Sequence, residues 1–98
     1  MNKVNPTLKA MFVSKVYYWN CRLNGKTALL AGPFLEASDA EACGDYVGEA
    51  CIKENSEARK ASFGVVELKA PGDGPGRYNH LLPMKLQGEL LVDTGLRQ

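Results

Sequence analysis

Apolar and polar positions first organise into a regular pattern at Phe12. From there to Leu23 the chain reads Phe-Val-Ser-Lys-Val-Tyr-Tyr-Trp-Asn-Cys-Arg-Leu, rich in the β-branched and aromatic side chains that suit a pleated strand. Asn24-Gly25 follows at once, and Lys26-Thr-Ala-Leu-Leu-Ala-Gly32 resumes the apolar run. Asn-Gly between two such runs predicts a two-residue hairpin, because a type I′ turn needs positive φ at both central residues. A two-residue loop sets Leu23 opposite Lys26, Cys21 opposite Ala28, Trp19 opposite Leu30 and Tyr17 opposite Gly32. Side chains alternate across a strand, so these pairs share one face, the candidate core. The other face carries Val16, Tyr18, Arg22, Leu29 and Ala31 and is too apolar to be left to water. Either the C-terminal segment or a second copy of the chain, in a homodimer, is expected to cover it.

Gly32-Pro33-Phe34 ends the second strand, and the period then changes to that of a helix. Ser38 with Glu41 three residues on predicts a capping box, and Asp39 suits the positive end of the helix dipole. Ala40, Cys43, Val47, Ala50 and Cys51 fall on one stripe with Tyr46 at its edge. Gly44 and Gly48 lie beside that stripe, where close packing of helix on sheet accounts for them. The helix is expected to end between Glu54 and Lys60. Phe63 to Ala70 predicts a third strand with Val66, Leu68 and Ala70 on one face. Pro71 to Gly76 predicts a surface loop. The apolar positions from Leu81 to Val92 predict one or two short strands, divided at Gly88-Glu89.

The resulting order is β-β-α-β(-β). A right-handed crossover lays the third strand parallel to the second. Placed beyond the first, it completes a sheet of order 2-1-3. The expected fold is therefore an α+β two-layer sandwich, one helix packed on a mainly antiparallel sheet. Residues 1–11 are expected to be an N-terminal arm, 12–93 the single domain and 94–98 a frayed end.

Length and composition agree with that picture. The 98 residues are enough for one domain, and 45% hydrophobic with 23% charged residues is ordinary globular composition. No stretch approaches the roughly 20 apolar residues of a membrane span, and Met1 to Ala10 has no apolar run of a secretion signal. A cytoplasmic location is expected. Cys21, Cys43 and Cys51 are odd in number and widely spaced, no CxxC occurs, and His80 is the one histidine. Neither a disulfide framework nor a metal site is expected, and the thiols are expected to be reduced and buried. No cofactor is expected.

Candidate chemistry changes the picture little. Ser14, Ser38, Ser56 and Ser62 have no nucleophile-elbow context, and Gly72 to Gly76 lacks the Gly-Lys-Ser/Thr ending of a phosphate loop. No catalytic residue is assigned and the chain is expected not to be an enzyme. Charge is more informative. Net charge is only +1, yet residues 1–35 carry Lys3, Lys9, Lys15, Arg22 and Lys26 with no acidic residue. Residues 36–57 carry Glu36, Asp39, Glu41, Asp45, Glu49, Glu54 and Glu57 against Lys53 alone. Glu41, Asp45 and Glu49 repeat every fourth residue, about 6 Å apart along a helix. This row of carboxylates is the first candidate for a partner-binding surface, and it would meet basic groups. The second is the hairpin, where Lys15, Arg22 and Lys26 lie among aromatics, the mixture that binds single-stranded nucleic acid. On the expected register Tyr18 and Arg22 are its contact residues, with Tyr18 as the stacking platform.

Gly32-Pro-Phe34, Ser38-x-Ala-Glu-Ala42, Phe63-Gly-Val-Val-Glu-Leu68 and Pro75-Gly-Arg-Tyr-Asn79 stand in a layout of hairpin, acidic helix, strand and Gly-rich tail. Over residues 12–80 this layout resembles small accessory proteins of phages and other mobile elements of the anti-CRISPR type. The resemblance implies a non-enzymatic inhibitor in the host cytoplasm that binds a host protein or ribonucleoprotein complex, a CRISPR–Cas complex, and blocks target recognition. Direct nucleic-acid binding through the hairpin is the second reading. A phage structural or assembly protein that oligomerises through the second sheet face is the third.

Overall fold

A computed structural model describes residues 14–91. The expected arm (1–11) and frayed end (94–98) lie outside the described residues. Strands β1 (Lys15–Leu23) and β2 (Lys26–Phe34) form the hairpin, turning through Asn24 at φ 52° and Gly25 at φ 79°. Both angles lie in the left-handed region that Asn and Gly tolerate best. Two helical segments follow, α1 (Ala37–Ala42) and α2 (Gly44–Glu54), then a 3₁₀ turn at Ser56–Lys60 and strand β3 (Ser62–Lys69). A 3₁₀ turn at Asn79–Leu81 and the short helix α3 (Met84–Gln87) complete the described chain. The sheet order is β2-β1-β3, with both outer strands antiparallel to β1, so β2 and β3 run parallel as expected. The fold is the expected α+β class, helices over a three-stranded sheet.

Near the turn the register is the expected one: Leu23 pairs with Lys26 and Cys21 with Ala28. Farther out it slips twice, so Trp19 faces Ala31 and Tyr17 faces Phe34, in place of Leu30 and Gly32. The physical reason is burial. Strict alternation would send Leu30 and Ala31 to opposite faces, whereas the extra residue of a bulge lets both enter the main core. Ala31 therefore leaves the second face, where alternation had put it.

β1 is covered on both sides. On the helix side, Cys21, Leu30, Ala31 and Phe34 pack with Ala40, Cys43, Val47 and Cys51, and Leu82, Leu86 and Leu90 close the cluster. On the other side Val16 and Tyr18 are fully buried with Leu91, flanked by Leu29, Val66, Leu68 and Ala70. Cover for this second face comes from within the chain, as the first of the two expected routes. Part of it comes from residues read as a plain surface loop: the Tyr18 hydroxyl accepts from Asp73 N at 2.9 Å and donates to Gly74 O at 2.5 Å. Gly72 lies so close that a Cβ there would fall 2.5 Å from that hydroxyl. Tyr18 thus cannot be a stacking platform, since no part of its ring reaches solvent.

The helix departs from its expected cap. Its N-cap is Glu36, in extended conformation and without a side-chain cap bond, so Ser38 and Asp39 already lie inside α1. Leaving the sheet at buried Phe34, the chain must turn at once for Ala40 to reach the core, which starts the helix ahead of Ser38. α1 and α2 meet at Cys43, whose backbone stays helical at φ −72°, ψ −20° and whose carbonyl accepts from both Tyr46 N and Val47 N. The expected C-terminal strands are also corrected. Pro83 presents its carbonyl to Leu86 N and Gln87 N, and Met-Lys-Leu-Gln are good helix formers. The single bridge Phe34–Leu90 is the one strand-like contact of Leu81–Leu91 among the described residues.

The two helix glycines separate cleanly. A Cβ on Gly44 would lie 2.7 Å from Trp19 Cζ2, so the indole needs a bare backbone there; on Gly48 a Cβ meets nothing within 4 Å. Close packing explains Gly44 and not Gly48. Gly48→Ala should raise unfolding free energy by up to about 1 kcal/mol through helix propensity. Gly44→Ala should lower it by about 1–3 kcal/mol through overpacking against Trp19. Urea unfolding with unchanged slopes measures both, and equal effects of the two substitutions would refute the packing assignment.

Candidate functional site

The core stripe fixes how the helix is rotated, and rotation decides what it shows to solvent. With Ala40, Cys43, Val47 and Cys51 turned inward, Glu41, Asp45 and Glu49 all stand exposed on the outer side. The same row continues to Lys53, also exposed. Tyr46 lies on the flank, three residues before Glu49, and is 48% exposed. No ion pair joins Glu41, Asp45 or Glu49 to a cation among the described residues. Arg22 is exposed near the hairpin turn, on the strand face opposite the helix, between Thr27 of β2 and Ser62 of β3. The structure therefore brings together Glu41, Asp45 and Glu49 but separates them from Arg22, and it buries Tyr18.

A second feature was not legible in the sequence. A groove of about 570 Å³ runs between the hairpin and the C-terminal end of α2, lined by Cys21, Ala28, Leu30, Cys51, Arg77 and Tyr78 among others. At its rim the Tyr78 hydroxyl donates to Glu54 Oε1, and Arg77 Nη2 lies 3.3 Å from the same oxygen. The Arg77 guanidinium also sits 5.9 Å from the Tyr78 ring centre, within cation–π range. The Tyr78 hydrogen bond, with help from Arg77, holds the Glu54 carboxyl below its usual range. Burial, and then the hydrogen bond to Glu54 and the Glu54 charge, push Tyr78 up to about 12. Only the run Arg77-Tyr78 beside a Gly-rich loop hinted at it; Glu54 is 24 residues away in the chain.

Among the described residues no group of three or more His, Cys, Asp or Glu side chains could hold a metal ion. No helix there is long and apolar enough to cross a membrane. The three thiols are buried as expected, at 8%, 0% and 9% exposure for Cys21, Cys43 and Cys51. Cys43 donates to Asp39 O at 3.3 Å, and burial together with the Asp39 charge pushes its thiol up to about 12.

These shifts give stability a pH dependence of definite sign. The depressed Glu54 value contributes stability that is present above the ordinary carboxyl value of 4.5 and is lost as pH falls through the lower folded value. The raised Tyr78 value contributes stability that is complete below the ordinary 10.0 and is lost as pH climbs to about 12. Cys43 adds a similar loss that begins from its ordinary 9.0. Tyr78→Phe should flatten the part of the alkaline decline above pH 10 and weaken the acid limb as well. Urea unfolding from pH 3 to 11.5 is the measurement; an unchanged profile would show that the Glu54–Tyr78 bond contributes nothing.

Comparison of the chain with protein-family models, with curated proteins and with solved structures finds no match.

Proposed function

We propose that this chain acts by contact and not by catalysis, as an inhibitor that docks its acidic helix face on a basic surface of a host protein or ribonucleoprotein complex. The observation that carries the reading is the exposed row Glu41, Asp45 and Glu49 with half-exposed Tyr46 beside it. Like charges every fourth residue cost a helix a few tenths of a kcal/mol per pair, and only Lys53, at the far end of the row, offsets them. A partner's lysines and arginines would remove that repulsion. Tyrosine supplies rigid apolar area at low entropic cost, the usual anchor of a charged rim. Carboxylates about 6 Å apart come near the phosphate spacing of a nucleic-acid strand, so the row could occupy a channel built for one. The resemblance to anti-CRISPR proteins names a target of this kind, a CRISPR–Cas complex prevented from recognising its nucleic acid.

The hairpin reading is weaker now that Tyr18 is sealed under the 72–74 segment, leaving Arg22 without its stacking partner. Oligomerisation through the second face is likewise weaker, because Val16 and Tyr18 are already covered.

The triple variant Glu41→Lys, Asp45→Lys, Glu49→Lys should keep its circular dichroism and lose inhibition of a purified CRISPR–Cas complex. Affinity should fall by more than the roughly 0–1 kcal/mol typical of one exposed pair. The loss should lie mainly in the association rate and shrink at high salt. Tyr46→Ala should cost at least about 1 kcal/mol, mainly in the dissociation rate. A triple variant that binds and inhibits like the parent would overturn the assignment.

A further inference from the structure

The two edges of the sheet are finished differently. On the β2 side, the carbonyls of Leu29, Leu30, Gly32 and Pro33 accept from Arg77 N, Tyr78 N, Gly76 N and Leu91 N. The β3 side has no such cover. Ala70 N donates to Ser14 O at 2.8 Å, and these two residues continue the unbroken β1–β3 register by one position. Backbone groups of an antiparallel strand alternate in direction, so Ser62, Gly64, Val66 and Leu68 turn theirs to β1, and Phe63, Val65, Glu67 and Lys69 turn theirs outward. The Lys69 carbonyl accepts from Gly72 N; the other outward N–H and C=O groups have no hydrogen-bond partner among the described residues. Neither a proline nor a bulge interrupts β3, although these are common protections of an open edge. Val65, midway along it, is 39% exposed.

We propose that the β3 edge is a dimerisation site, on which a second copy of this chain adds its own β3 antiparallel about a two-fold axis through Val66. The outward groups at 63, 65, 67 and 69 are disposed evenly about residue 66. That axis sets Val65 of one copy opposite Glu67 of the other, and Phe63 opposite Lys69, outward groups against outward groups. Such pairs exchange N–H···O bonds, so the edge is its own complement. The side chains agree with it. Half-buried Val66 meets its own mate and extends the apolar cluster of Val16 and Tyr18 from one copy to the next. On the helix face, exposed Val65 gains the stem of Glu67, whose charge Lys15 Nζ offsets from 3.4 Å. A peptide strand added here would leave its own far edge open. A second copy does not, because the sheet of order 2-1-3-3-1-2 ends on two β2 strands that are already bonded from Leu29 to Pro33. Assembly therefore stops at two. The interface uses an edge and not the covered second face, and it does not depend on the acidic helix row.

One strand edge is a small interface, so the dimer should form and dissociate with concentration. Sedimentation equilibrium of the full chain between about 20 μM and about 1 mM should show the mass rise from 10.7 kDa toward twice that value. Over the same range, amide exchange followed by NMR should slow about threefold or more at Phe63, Val65, Glu67 and Lys69. Gly64, Val66 and Leu68, bonded to β1, should stay protected throughout. Val65→Glu sets a carboxylate opposite Glu67 of the other copy and should weaken the dimer about tenfold with an unchanged circular dichroism spectrum. Val65→Lys sets an ammonium in the same place and should dimerise at least as tightly as the parent, a contrast that loss of the valine alone cannot produce. A chain that stays monomeric, equal weakening by both substitutions, or a dimer whose protection falls elsewhere would each overturn the proposal. So would outward amides protected equally at every concentration, since the chain itself would then cover the edge.

Discussion

β1 must be buried on both faces, and a chain with one substantial helix can cover only one of them. Val16 and Tyr18 point away from the helix and yet have no exposed surface. Leaving two such side chains in water would forgo about 1.5–3 kcal/mol apiece, a large share of the stability of so small a domain. The rest of the chain answers this constraint. The segment after β3 folds back over Tyr18, offers its hydroxyl two backbone partners, and is glycine-rich where the ring presses closest. Leu91 completes the cover.

The same returning segment closes the edge of β2. Arg77 N and Tyr78 N donate to the carbonyls of Leu29 and Leu30, and Leu91 N donates to that of Pro33. Asn79 adds a two-sided clamp on Gly32, with Oδ1 accepting from its N–H and Nδ2 donating to its carbonyl. An edge strand with unpaired backbone groups is a template for unwanted pairing, and here it is satisfied from within. Of the residues expected to add strands, Leu91 gives this edge a hydrogen bond without a regular strand forming, because Pro83 and the good helix formers after it divert the chain into turns.

Helix rotation links the two surfaces of functional interest. Turning Val47 and Cys51 to the core sends Asp45 and Glu49 outward and carries Glu54, one turn beyond Cys51's neighbourhood, to the rim of the groove beside Arg77 and Tyr78. The outer face presents exposed carboxylates with little to offset them. At the rim the one carboxylate is held by a phenol and a guanidinium, which ties the end of α2 to the returning C-terminal segment.

Local chemistry was enough to read the hairpin turn, the inward stripe from Ala40 to Cys51, the outward row Glu41, Asp45 and Glu49, and the parallel relation of β2 to β3. Each depends on the period of a single element or on the handedness of one connection, and such periods are written in neighbouring residues. Register beyond Asn20 was not legible, because the bulge answers the volume that Leu30, Ala31 and Phe34 must fill together. The fate of Tyr18 was not legible either: whether an aromatic on a half-apolar face is a platform or a core residue depends on what lands on it, here a loop 55 residues downstream. The groove and its Glu54–Tyr78–Arg77 rim are likewise products of the tertiary structure. They are made by contacts between segments far apart in sequence, and packing alone decides which distant side chains meet.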